Sequence, residues 1–289
     1  MAMIEIKNVR YVYGKKTPYE ICALDDVSLS IRKNAVTGII GHTGSGKSTL
    51  VQLFNGLIKP DKGTVIVDGT DIWEKPKEMG KIRYKVGMVM QYPEYQLFAD
   101  TVWDDIAYGP KNMGLSDDEI KAKVEMAAGF CGITPDVLAK SPFDLSGGQK
   151  RRVALAGIMA MDPMVLVLDE PAAGLDPRGR RQILGGICEY QRQRGTSVVI
   201  VSHSMEDMAK YCDELFVLSH GRLILHGDCK EVFSETDMLR SAGLDVPEIS
   251  AVVRSLRKNG IDISKYIYTV NGTVEEIKKY ADRRCDNGI

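Results

Sequence analysis

One short stretch limits the fold of this chain more than any other. "AVTGIIGHTGSGKSTLVQLFNGL" runs from an apolar segment into a glycine loop and out into a segment with Leu50, Leu53, Phe54 and Leu57 at helical spacing. The loop, Gly41 to Thr49, satisfies G-x-x-x-x-G-K-[ST] with Gly41, Gly46, Lys47 and Ser48 in place. At average composition, with glycine at roughly 7%, chance would give that pattern in about one chain of this length per hundred. The strand before it and the helix after it leave little room for a fortuitous loop. The glycines let backbone N–H groups across His42, Thr43, Gly44 and Ser45 close around phosphate oxygens. Lys47 then reaches the β and γ phosphates of a nucleotide, and the Ser48 hydroxyl is placed to ligate Mg²⁺. Thr49 and the helix N-terminus behind it belong to the same cradle.

The rest of the chain supplies a sheet for this unit to sit in. "MIEIKNVRYVY" and "ALDDVSLSIR" read as strands, "KGTVIVDGTDI" as a hairpin turning at Asp68-Gly69, and "KVGMVMQ" as a short buried strand. From about 93 to 162 the texture is helical, with a Ser116/Glu119 capping box opening one helix. Strands return in "MVLVLDEP" and "TSVVIVSH", separated by a helical segment, which indicates a largely parallel sheet with helical crossovers. "ELFVLSHGRLILHG" reads as an antiparallel pair. After about residue 233 the composition shifts to a small helical tail, where Ile249, Val252, Val253 and Leu256 share a helix face and Thr273/Glu276 reads as a capping box. The fold class is α/β.

Three strand ends carry chemistry. "MVLVLDEP" delivers Asp169 and Glu170 at the C-terminal end of a buried strand, the edge where nucleotides bind in open α/β sheets. Asp169 suits the magnesium shell, and Glu170 suits polarising a water for attack on the γ phosphate. His203 follows a second such strand and can hydrogen-bond the γ phosphate or the attacking water, and Gln91 follows a third and can contact metal or water. Tyr11 and Tyr13 share one face of the first strand; either can stack on an adenine while core packing absorbs the other. A fourth feature does not fit one site. "LSGGQKRR" places Ser146, Gly147, Gly148 and Gln149 at the head of a helix, an anion-binding composition in a chain that already has a phosphate loop. The "QKRR" that ends it reads as a solvated helix face.

Bulk properties narrow the partners. Lys and Arg total 38 against 39 Asp and Glu, a net charge of −1, which gives no reason to expect nucleic acid. Six scattered cysteines with no CxxC pair argue against zinc and against a disulfide scaffold, and fit reduced thiols in a cytosol. The N-terminus has no apolar core of the signal-peptide kind, and the longest apolar candidate, 153–168, is broken by Asp162 and Pro163.

The ordered set Tyr13, "GHTGSGKST", Gln91, "LSGGQ", "MVLVLDEP", "AGLD" and His203 resembles the nucleotide-binding domain of ABC ATPases over about the first 230 residues. The resemblance implies a P-loop ABC-type core over 1–232 with an N-terminal antiparallel β region and a signature-bearing helical subdomain (about 93–162), followed by a helical C-terminal extension over 233–289 that serves dimerisation. It implies ATP and Mg²⁺ as cofactors. It also implies a head-to-tail dimer in which Ser146, Gly147, Gly148, Gln149 and Asp176 serve ATP held by the partner chain. "QYPEYQLFADTVWDDIAYGPKNMGL" and the tail "VPEIS" are similar to the ATP-binding subunits of energy-coupling factor transporters, most closely the second of their two ATPase types. That resemblance implies vitamin or transition-metal uptake, a second related ATPase chain as partner (a heterodimer, with a homodimer as the alternative), a transmembrane coupling subunit and a separate substrate-binding membrane subunit. The chain would lie peripherally on the cytoplasmic face of the cell membrane, with Tyr92, Tyr95, Leu97 and Phe98 in a groove for the coupling subunit. Packing of those four against their own helical subdomain is the competing expectation, and another type of ABC importer is the competing function.

Overall fold

The computed structural model describes residues 2–264 and 266–286. Strands β1 (Ala2–Tyr13) and β2 (Ile21–Arg32) pair antiparallel, and β3 (Val36–Gly41) leads through the glycine loop into α1 (Lys47–Phe54). Strands β4 (Lys62–Val67) and β5 (Thr70–Asp71) are joined by Asp68-Gly69 with φ of 50° and 77°, the two positive values a type I′ hairpin turn requires. Next come α2 (Met79–Lys85) and β6 (Val86–Val89), then a run of helices, α3 (Val102–Asn112), α4 (Asp117–Phe130), α5 (Pro135–Leu138) and α6 (Gly147–Met159). The chain returns to alternation in β7 (Val165–Asp169), α7 (Pro177–Arg194), β8 (Ser197–Val201), α8 (Met205–Tyr211), β9 (Glu214–Ser219) and β10 (Arg222–Asp228). The tail holds α9 (Cys229–Ser234), α10 (Thr236–Ser241), α11 (Glu248–Lys258) and α12 (Val270–Asp286).

Two sheets result. One is antiparallel in the order β2-β1-β4-β5, and the other runs β10-β9-β3-β8-β7-β6, with β9 through β6 parallel to one another and β10 antiparallel to β9. Strands β3, β7 and β8 are buried along their whole length, which is why they read as continuous apolar runs rather than alternating ones. Their side chains still alternate between two cores. Ile39, Val167, Val199 and Val201 pack with α1 and the antiparallel sheet, while Ile40, Leu166, Leu168, Val198 and Ile200 pack with α6, α7 and α8. Each such side chain contributes about 1.5–3 kcal/mol relative to exposure. Edge strand β10 instead alternates between exposed and half-buried positions.

The Ser116/Glu119 capping box is present on α4. The one at Thr273/Glu276 is not: α12 starts at Val270, Thr269 Oγ1 accepts from Gly272 N at 3.2 Å, and Thr273 donates back to Thr269 O at 3.0 Å. A threonine hydroxyl inside a helix bonds the preceding turn, so Thr269, four residues earlier, takes the capping role. Cys22, Cys131, Cys188, Cys212 and Cys229 are free thiols, and the side chain of Cys285 lies outside the described residues. No helix among the described residues is long and apolar enough to cross a membrane.

The helical segment rests on α7 through a close approach at Gly186, where a Cβ would meet the Phe130 carbonyl oxygen at 2.2 Å. The Phe130 ring lies edge-on to Tyr190 at 5.3 Å just beside it. Gly186→Ala should therefore destabilise the chain by about 1–3 kcal/mol. A thermal melt measures it, and an unchanged midpoint would contradict the contact.

Candidate functional site

The parallel register puts the ends of β3, β8, β7 and β6 along one edge, and that edge collects the candidate residues. At the end of β3 the loop turns at Gly46 (φ 102°), where a Cβ would lie 2.5 Å from Ala23 O. Lys47 Nζ donates to Gly41 O at 2.7 Å and His42 O at 3.0 Å, so the ammonium curls over its own loop. Burial pulls its pKa below the usual lysine range, against the opposing charges of Glu170 and Asp169. Ser45 Oγ is buried in the loop with no hydrogen-bond partner. The β9–β10 turn clamps the loop from outside: Gly221 N donates to Ser45 O at 3.1 Å and His220 N to His42 Nε2 at 3.3 Å. The His42 Nδ1–H is held by Thr43 O at 2.8 Å.

Tyr13 hydrogen-bonds Thr49 Oγ1 at 3.2 Å and remains 41% exposed beside the loop. Tyr11 packs on the core beneath it, edge-on at 4.8 Å. The exposed ring next to the phosphate loop is thus Tyr13.

Asp169 ends β7 and is buried. Burial raises its pKa; the facing Ser48 hydroxyl opposes that, the Glu170 charge adds to it and Lys47 opposes it. A buried carboxylate beside a serine hydroxyl is a hard-oxygen donor pair of the kind Mg²⁺ takes. Glu170 is in the left-handed region at φ 54° although it is not glycine and precedes a proline, a conformation that costs about 1–3 kcal/mol. It is held there by Glu170 N donating to Val201 O at 2.9 Å and Ala173 N donating to Glu170 O at 3.2 Å.

His203 Nδ1 meets Glu170 Oε1 at 2.8 Å, with His203 73% and Glu170 13% exposed. A carboxylate only accepts, so Nδ1 carries the proton and the neutral ring offers Nε2 as an acceptor. In this geometry neutral His203 can accept from a water, and it donates to a phosphate only when doubly protonated or released from Glu170. Gln91, two residues past β6, is exposed, and no hydrogen bond joins it to Ser48 or Asp169.

The "LSGGQ" residues are not on this edge. Ser146 caps α6: its Oγ accepts from Gln149 N at 3.4 Å, and Gln149 Oε1 accepts from Ser146 N at 3.0 Å. Gly147 and Gly148, the first two helical residues, have no intrahelical carbonyl to donate to, so their amides are open for an anion. Gly148, with Ser146 and Gln149, lines a groove of about 530 Å³ shared with Gly174, Asp176 and Arg178. Asp176 caps α7, accepting from Gly179 N at 2.6 Å. None of the residues lining this groove belongs to the phosphate loop.

A second groove, about 310 Å³, is bordered by Tyr84, Leu97, Phe98, Tyr108, Ala154 and Gly157. Tyr92, Tyr95 and Phe98 are exposed, whereas Leu97 packs partly against the core, so of the four only Leu97 turns inward. Asp105 holds the wall by accepting from Phe98 N and Ala99 N at 3.2 Å each.

"QKRR" is not a solvated face throughout. Arg151 is 5% exposed, its Nη2 and Nε donating to Glu94 Oε1 and Oε2 at 2.9 and 3.2 Å and its Nη1 to Ala173 O. The clue was in the spacing: Arg151 lies four residues before Leu155 and eight before Met159, on the buried face of α6.

Comparison with known proteins identifies the family and the fold. The ABC transporter family matches residues 24–173, and an overlapping stretch, 141–208, matches an AAA domain described as a putative AbiEii toxin. The energy-coupling factor transporter ATP-binding protein EcfA2 of Clostridium tetani is 48% identical over 98% of this chain and 99% of its own length. EcfA2 of Clostridium acetobutylicum is 51% identical over 95% of this chain and 96% of its own. Among solved structures, cbiO1 of Clostridium perfringens, part of the ABC transporter complex cbiONQ, superposes with a TM-score of 0.75 at 39% identity, covering 88% of this chain and 99% of that one. The ATP-binding cassette MJ0796, solved as a dimer in a post-hydrolysis state with ADP and Pi, gives 0.71 at 27% identity over 78% of this chain and 99% of that one.

The contact at Gly46 carries a prediction. Gly46→Ala drives a methyl into the Ala23 carbonyl at a left-handed position and should weaken binding of a fluorescent ATP analogue by about tenfold or more. Wild-type affinity in a titration would contradict the loop geometry.

Proposed function

From the premise that this chain belongs to the ABC transporter family, among its energy-coupling factor ATP-binding subunits, we propose that it completes its ATP sites only by pairing head to tail with a second, related ATPase chain. The observation that carries this is the separation of two half-sites in one molecule. The phosphate loop, Asp169, Glu170 and His203 lie along one edge, and the signature with Asp176 lines another groove that contains no phosphate-loop residue.

Within the first half-site, His42 to Thr49 bind the phosphates, Lys47 uncurls from its own carbonyls to meet them, and Tyr13 stacks on the base. Ser48 and Asp169, joined by Gln91 and with the Asp169 contact passing through water, would hold Mg²⁺, which supplies charge neutralisation at the β and γ phosphates. Glu170 takes the proton of the attacking water, and His203, fixed on Glu170 by its Nδ1–H, orients that water by accepting from it at Nε2; once released from Glu170 the ring can instead donate to the γ phosphate. The second half-site offers the Gly147 and Gly148 amides at the α6 N-terminus to ATP on the other chain, with Ser146, Gln149 and Asp176 beside them.

The groove at Leu97 and Phe98, with exposed Tyr92 and Tyr95 next to it, suits a helix of a transmembrane coupling subunit, because aromatic rings of this size are otherwise costly to leave in water. A separate membrane subunit would bind the vitamin or metal ion, and this chain would sit peripherally at the cytoplasmic face. In the extension, Val270, Val274 and Ile277 are exposed one turn apart along α12, which supports a dimerising role for 233–289.

Two measurements test this reading. Affinity purification from native membranes should recover one coupling membrane protein and a second ATPase; recovery of a pair of large permeases would favour another type of ABC importer. Glu170→Gln keeps the His203 contact but removes the base, so phosphate release should fall by about 10²–10⁴-fold and an ATP-bound dimer should accumulate on size exclusion. Wild-type turnover by that variant would contradict the assignment of Glu170.

A further inference from the structure

Arg151 touches three elements that the proposed cycle has to move. Its own helix, α6, begins with the signature. Its bidentate partner Glu94 sits in the short turn between Tyr92 and the groove wall at Leu97 and Phe98. Its remaining nitrogen, Nη1, donates to the carbonyl of Ala173, in the loop that runs from Glu170 to Asp176. Ala173 N in turn donates to Glu170 O at 3.2 Å. A continuous path therefore runs from the docking groove through Glu94, Arg151 and Ala173 to the backbone of the catalytic carboxylate.

An ion pair this dry is a poor device for stability alone, since apolar side chains of the same volume commonly do as well or better. What the guanidinium adds is geometry: a planar fork fixes both Glu94 oxygens and leaves a third donor at a set angle for Ala173. Lysine could match the charge but not the three directions.

We propose that Arg151 is a positioning residue that joins the groove segment, the signature helix and the Glu170–Asp176 loop into one unit, so that the ATP state at the catalytic edge is felt at the docking groove. The inference rests on the reading of that groove as a coupling-subunit site. By linkage the effect runs in both directions, so docking in the groove biases the loop by the same factor.

Hydrogen exchange of the amides across 93–99 tests this in the purified membrane complex, with and without ATP-Mg²⁺, in the Glu170→Gln background so that ATP is not consumed. In the otherwise unaltered chain, ATP should change exchange in that segment by threefold or more. With Arg151→Lys, or with Glu94→Gln, the change should shrink to less than a third of that size while ATP affinity stays within twofold. The double variant should do no further damage, because both substitutions break one link. A response of unaltered size in either variant overturns the proposal, as do additive effects in the double or the lack of any ATP response in the unaltered complex. If Arg151→Lys does not assemble, Glu94→Gln, nearly isosteric and still able to accept one hydrogen bond, decides alone. Failure of the unaltered chain to assemble with a membrane subunit would instead overturn the function proposed above.

Discussion

Parallel pairing of β3, β8, β7 and β6 is the constraint on which the rest depends. Strands that run in one direction end on one edge, so residues up to about 160 positions apart become neighbours: the phosphate loop after β3, Glu170 after β7 and His203 after β8. Burial on both faces supplies the other half of the effect. It lowers the pKa of Lys47, raises that of Asp169 and places both in surroundings where charges act strongly on one another. That balance favours arrival of a polyanion with its metal, since the phosphates neutralise the ammonium and the cation neutralises the carboxylate. The left-handed backbone at Glu170 adds strain at the residue proposed as the base, held by the sheet through Val201 and by the following loop through Ala173.

The second half-site obeys a different physical rule. The donors proposed there are amides at a helix start, and the capping box on Ser146 and Gln149 keeps that start ordered without using the Gly147 and Gly148 amides. Asp176 similarly caps α7, so the two helix starts bordering the groove are rigid before any ligand arrives. Pre-ordered donors at a groove lined by no phosphate-loop residue fit ATP brought by another molecule. Gly186 and Phe130 seat the helical segment on α7 and so set the distance between the two half-sites within one chain.

Much of this is readable in the amino-acid order because it is local. The phosphate loop, the buried strand runs, the Ser116 cap and the acid pair at 169–170 each depend on neighbours within a few residues. The parts that escape are those decided by distant contacts. Arg151 reads as solvated by composition, and its burial is made tolerable by Glu94, 57 residues away, together with the Ala173 carbonyl. Thr273 loses its capping role because the helix begins earlier than the apolar pattern suggests. The clamp of His220 and Gly221 on His42 and Ser45 has no sequence signal, because nothing in a β-turn announces what it will lie against. Tyr13 and Tyr11 could not be told apart by periodicity; packing put one on the core and left the other beside Thr49.

The central claim is that the signature of this chain serves ATP held by its partner. Vanadate trapping of a photoactivatable 8-azido-ATP in the two-ATPase complex marks the chain whose phosphate loop has turned over. With Ser146→Arg introduced here alone, label should disappear from the partner and persist on this chain. Loss of label from this chain with retention on the partner would show that each subunit completes its own site, and would contradict the account.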